Sequence, residues 1–91
     1  MDKQDNSQEI RNRIKCSVAA YAYEIRNESI MTDMEFDSLC GVIKYNESTG
    51  NAKMDTFFRN EFNPSTGQWI HNHPELKRIA EIYENYYEGK Q

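Results

Sequence analysis

Several things are scarce in this 91-residue chain, and each scarcity excludes something. Basic charge is short: 11 Lys and Arg stand against 15 Asp and Glu, for a net charge of −4. The most basic run, Arg11-Asn12-Arg13-Ile14-Lys15, is offset by Asp5 and Glu9. Nucleic-acid affinity comes from neutralising phosphates with clustered Lys and Arg, so no direct nucleic-acid binding is expected. No apolar run approaches the roughly 20 residues that span a bilayer. The opening MDKQDNSQE is polar and does not read as a secretory leader. A cytoplasmic protein is therefore expected. The two cysteines, Cys16 and Cys40, both fall inside helical patterns and read as buried free thiols. Histidine is confined to His71 and His73, and with zinc sites usually needing three or more protein ligands, no metal site is expected. Neither a repeat nor a low-complexity segment is present.

What is present predicts one small domain across residues 1–91, with 1–6 expected to fray. Hydrophobic residues make up 37% and charged residues 29%, the balance of a folded chain rather than a disordered one. A chain of this length has one thin core. Six Tyr, four Phe and one Trp are many for that core. They can fill it with few residues or leave rings on the surface for a partner.

The apolar spacing predicts an all-α fold: an αα-hairpin, a short intervening helix and a C-terminal helix. Ser7 is a candidate cap for the first helix. Ile10, Ile14, Val18, Tyr21 and Ile25 share one of its faces, with Cys16, Ala19 and Tyr23 roughly opposite. Asn27-Glu28-Ser29 connects it to a second helix over about 33–45, whose start carries a capping box, Thr32 with Glu35. Phe36, Leu39, Cys40 and Ile43 form the buried face, and Gly41 allows close approach to the first helix. A turn-rich loop, 46–52, precedes a short helix over 54–62 bearing Met54, Phe57, Phe58 and Phe62. Asn63-Pro64-Ser65-Thr66-Gly67 ends it. Gln68 to His71 reads as extended, docking Trp69 and Ile70. Pro74 suits the first position of the last helix, whose stripe is Leu76, Ile79, Ala80, Tyr83 and Tyr86 or Tyr87.

The stretch Tyr21–Leu39, with Tyr23-Glu24 followed by Asp33-Met34-Glu35-Phe36-Asp37-Ser38-Leu39, and the later His73-Pro74-Glu75-Leu76, resembles the N-terminal Ia domain of bacterial NAD-dependent DNA ligases. That family carries Tyr-His, then Asp-x-x-Tyr-Asp-x-Leu, and later His-Pro-Glu-Leu. The resemblance covers about half the chain. It implies a pocket for nicotinamide mononucleotide, with Asp33 and Asp37 on ribose hydroxyls and Tyr23 and Phe36 stacked on nicotinamide. Two positions depart from the family: Glu24 stands for its histidine and Phe36 for its second tyrosine. Glu24 sets an anion where a phosphate would lie. The adenylating lysine motif and its domain are absent. Lys53-Met54-Asp55-Thr56 echoes that motif without its glycine and reads as surface. Neither an enzymatic activity nor a resident cofactor is expected.

The last helix carries Tyr83, Tyr86 and Tyr87 among Glu81, Glu84 and Glu88. Tyrosine is enriched at interaction hot spots, so these rings and Trp69 are candidate partner-binding residues. The expected function is a non-enzymatic protein-interaction module, a phage-encoded modulator or inhibitor of a host complex. Its partner would be a larger host or phage protein, with homodimer formation also open. The alternative is a nicotinamide-nucleotide-binding or ligase-accessory protein.

Overall fold

Helix α1, Ser7–Glu24, is the central element, on which most of the packing between elements falls. The computed structural model describes residues 7–86. After α1 come α2 (Asp33–Val42), α3 (Ala52–Glu61), a 3-10 turn (Gln68–Asn72) and α4 (Leu76–Tyr86). The fold is all-α, and no strand occurs among the described residues. Ile79 lines a cavity with Ile10 and Ile14, and one turn on Tyr83 meets Tyr21 edge-on, so α1 and α4 run in the same direction. The intervening elements close the remaining sides of α1.

The first half of α1 does not bury the face its isoleucines suggest. Ile10 is 40% and Ile14 39% exposed, while Glu9 and Arg13 are buried. The reason lies across the fold. The Arg13 guanidinium donates to Glu9 at 2.7 Å, to Asp55 at 2.8 Å, and to the Lys44 and Glu47 carbonyls at 2.8 and 3.1 Å. It also lies over the Phe58 ring. The Lys44 amide returns a bond to Glu9, and Thr49 donates to Asp55 through both backbone and hydroxyl. A buried charge is tolerated when it is paired and hydrogen-bonded. Asp55, expected at the surface, is thus part of the interior. From Cys16 to Ala22 every residue of α1 is buried, in line with its central position.

Asn27 ends the α1 region with a positive φ, a conformation asparagine accepts more readily than most residues. The Glu28 amide then bonds back to the Ala22 carbonyl at 2.8 Å. Helix α2 begins at the expected capping box: Thr32 Oγ1 accepts from the Glu35 amide, and the Glu35 carboxylate from the Thr32 amide. It ends at Val42, short of the expected 45, because Ile43 is extended and turns inward to be buried. Gly41 faces open space, with no atom within 4 Å of the position a Cβ would take, so it mediates no close approach to α1.

Helix α3 starts at Ala52, capped by Asn51 Oδ1 on the Met54 amide. Its Phe57 and Phe58 join Phe62, Trp69 and His73 in one ring cluster, with centroids 5.0–6.4 Å apart. Edge-to-face contacts of this kind add to simple burial. The rings thereby supply the core for each other, and a small domain encloses more of them than its aliphatic content suggests. Trp69 and Tyr83 are core residues here. The segment expected to be extended is a 3-10 turn. Its amides close i→i+3 bonds, Ile70 to Gly67 and His73 to Ile70. Trp69 Nε1 donates to the Thr66 carbonyl and locks the turn inward. Helix α4 starts at Leu76, two residues after Pro74, since its first bond is from Ile79 to the Glu75 carbonyl.

Candidate functional site

The α1–α2 connection shapes a cleft of about 220 Å3. One wall is the last turns of α1, with Ala19, Ala20, Tyr23 and Glu24. The other is the first turns of α2, with Asp33, Phe36 and Asp37. Positions 33, 36 and 37 share a helix face by their spacing, and the capping box fixes where that face begins. The floor is closed by Ser65–Gly67. Gly67 passes so near α1 that a Cβ there would lie 3.4 Å from the Ala20 Cβ. Small residues on both sides make this approach.

All four residues singled out for a nucleotide pocket, Tyr23, Asp33, Phe36 and Asp37, line this one cleft. Glu24 lines it too, so three acidic residues are among its walls, and no Lys or Arg is. Tyr23 is 61% exposed at the rim, and Phe36 is half-buried against the core. His71 Nε2 lies 3.7 Å from the Glu24 carboxylate and carries charge only when protonated. A site of carboxylates and aromatic faces favours a cation, through charge attraction and the ring quadrupole. It disfavours phosphate.

The expected partner-binding residues separate. Trp69 and Tyr83 are core, Tyr86 is 62% exposed at the end of α4, and Tyr87 lies outside the described residues. Among the described residues, the most exposed rings are Tyr86, from that set, together with Tyr23 and Tyr45.

The two histidines diverge. His73 is buried, and its Nδ1 accepts the Glu75 amide at 3.0 Å at the entry to α4. Burial pushes it down to about pKa 4, against a weaker opposing pull from Glu75. It is neutral near pH 7, with the proton on Nε2. Among the described residues Nε2 has no hydrogen-bond partner, and neither does the buried Ser17 Oγ. Both residues line a second cavity of about 150 Å3, with Ile10, Ile14, Met54 and Ile79. No cluster of three potential metal ligands occurs among the described residues. None of the described helices is long and apolar enough to cross a membrane.

Sequence reasoning did not find Ala19, Ala20 and Gly67 as cleft residues. The one available signal was a glycine directly before an aromatic segment, which does not reveal the wall it packs on. No protein-family model matches the chain, no curated protein matches it, and no solved structure matches it.

Proposed function

We propose that this protein is a non-enzymatic interaction module that occupies a basic patch on a larger protein and seats a lysine or arginine side chain in the α1–α2 cleft. One observation carries the reading: three acidic residues, Glu24, Asp33 and Asp37, line one cavity together with Tyr23 and Phe36, and its walls include no Lys or Arg. Tyr23 at the rim and Met34 beside Asp33 are exposed large side chains, and such residues serve as anchors in protein interfaces. The net charge of −4 adds steering toward a basic surface. A phage-encoded modulator or inhibitor of a host complex is the role we assign to such a module.

The test is calorimetric titration with an arginine-rich peptide at low salt. Saturable binding is expected, weakened at least tenfold in Asp33→Asn/Asp37→Asn. The control Glu61→Gln/Glu81→Gln removes the same charge away from the cleft and should leave affinity nearly unchanged. Equal losses in both double variants would reduce the effect to net charge and sink the reading.

The convergence of Tyr23, Asp33, Phe36 and Asp37 also favours a second reading, nicotinamide-nucleotide binding. The oxidised nicotinamide ring is a cation and suits the cleft, whereas Glu24 opposes a phosphate. Titration with nicotinamide mononucleotide separates the two. No binding below millimolar concentration is expected, and micromolar affinity lost in Asp37→Ala would promote the second reading.

A further inference from the structure

Both cysteines of the chain meet in the interior. Cys16 Sγ on α1 lies 3.4 Å from Cys40 Sγ on α2, and both residues are buried. We propose that this dithiol is an oxidation site, at which hydrogen peroxide converts Cys16 and Cys40 to a reversible disulfide that ties α1 to α2 beneath the cleft. The link to the cleft rests on the interaction reading given above.

Geometry carries the first part. A disulfide needs its sulfurs about 2.05 Å apart, so the pair closes by little more than about 1 Å, within reach of small χ1 adjustments. The two sulfurs come from different helices, so their bond would join elements that are otherwise held by side-chain packing. Its position carries the second part. Cys16 stands three and four residues before Ala19 and Ala20, and Cys40 stands three and four after Asp37 and Phe36. Residues at these spacings share a helix face. The bond would therefore sit at the base of both cleft walls and hold their separation.

The chemistry balances with hydrogen peroxide as the only co-reactant. The Cys40 sulfur attacks one peroxide oxygen, the O–O bond breaks, and a water leaves, giving a sulfenic acid. Cys16 Sγ then attacks Cys40 Sγ. The S–O bond breaks, the Cys16 proton goes to the departing hydroxide, and a second water leaves. Two thiols are oxidised by two electrons and one peroxide is reduced to two waters. The pair is set up for this order. The hydrogen bond from Cys16 pulls the Cys40 thiol down, against burial and the nearby Asp37. The same contact, with burial, pushes Cys16 up. Access comes through α2, within which Cys40 is the one buried residue. An element with so few buried contacts opens more readily than the global fold, and a dithiol reductant would reverse the bond by the same route.

Hydrogen peroxide in modest excess, followed by intact mass measurement, tests the site. The expected product is a monomer lighter by two hydrogens, and dithiothreitol should restore the original mass. Trypsin should release peptide 16–26 joined to peptide 27–44. The oxidised form should melt about 10 °C or more higher. Cys16→Ala should stop at oxygen addition, and the wild-type peptide map decides the matter even if that variant unfolds. Oxygen addition alone in the wild type, or disulfide-linked dimers in place of the monomer, would overturn the site. For the coupling, the arginine-rich peptide should bind the oxidised and reduced forms with affinities at least threefold apart. Equal affinities would overturn the coupling. Failure of both forms to bind the peptide would overturn the interaction reading, while the mass result would still judge the dithiol site.

Discussion

Between Ser7 and Lys15, α1 buries charge, and between Cys16 and Ala22 it buries mainly carbon and sulfur, with the hydroxyl of Ser17. The first half is held by a polar network in which Arg13 joins Glu9, Asp55 and two carbonyls. The second half is held by contact with α2, α4 and the 3-10 turn, with Val18, Ala20 and Ala22 nearly inaccessible. The two halves should fail differently. Apolar packing weakens in proportion to the atoms removed. A buried ion network fails sharply when one member goes, because the remaining charges lose their compensation.

Arg13→Ala should therefore produce the largest loss, about 3–5 kcal/mol, read from the denaturant midpoint. It strands Glu9 and Asp55 without their shared cation. If the combination Arg13→Met, Glu9→Gln and Asp55→Leu recovers most of that stability, the network contributes specificity rather than net stability. A loss below about 1 kcal/mol in Arg13→Ala would show that water replaces the guanidinium and that the first half is not truly interior.

Acid should separate the regions next. His73 has a folded pKa lowered to about 4 from 6.5, so its neutral form is the one the fold accepts. The unfolded chain binds this proton first, and stability is lost as pH falls from 6.5 toward 4, by about 3 kcal/mol in all. For Asp55 burial acts upward, but the Thr49 hydrogen bonds and Arg13 prevail and hold the carboxyl below 3.8. Its contribution is complete above that value and is lost only on further acidification through the folded pKa. Thermal melts from pH 7 to pH 3 should thus show two successive losses. His73→Asn, whose side-chain oxygen can still accept the Glu75 amide, should remove the first and keep the second.

Smaller effects test the local elements. Thr32→Ala removes half of the capping box and should cost about 1 kcal/mol; an unchanged midpoint would mean that α2 is held by packing alone. Ile14→Ala should cost least, below about 1 kcal/mol, since this side chain is only partly removed from water. A loss comparable with Arg13→Ala would restore the isoleucine face as the buried one.

These contrasts track what was legible. The capping box was readable because both partners lie within one turn. Helix α4 was readable because Ile79 and Tyr83 fall on one stripe. The four cleft residues could be named together only through the family resemblance, whose motif lies in one short stretch of chain, Tyr23–Asp37. The burial of Glu9 and Arg13 was not readable, since an i,i+4 acid–base pair looks like an ordinary exposed pair until its distant third member is placed. The 3-10 turn escaped because it depends on Gly67 being pressed against α1, not on a periodic pattern.

The sequence by itself determined the helical class, the α2 start, the paucity of basic charge and the acid–aromatic makeup of the α1–α2 stretch. Each of these depends on neighbours a few residues apart, where spacing alone sets which groups can meet. Tertiary structure alone decided that Arg13 meets Asp55, 42 positions away, and that Cys16 meets Cys40, 24 positions away. It also decided that Trp69 and Tyr83 turn inward while Tyr23 stays at the rim. In a thin core these choices follow from which few side chains can fill and satisfy the space beside α1, and that competition is settled only when all the elements are packed together.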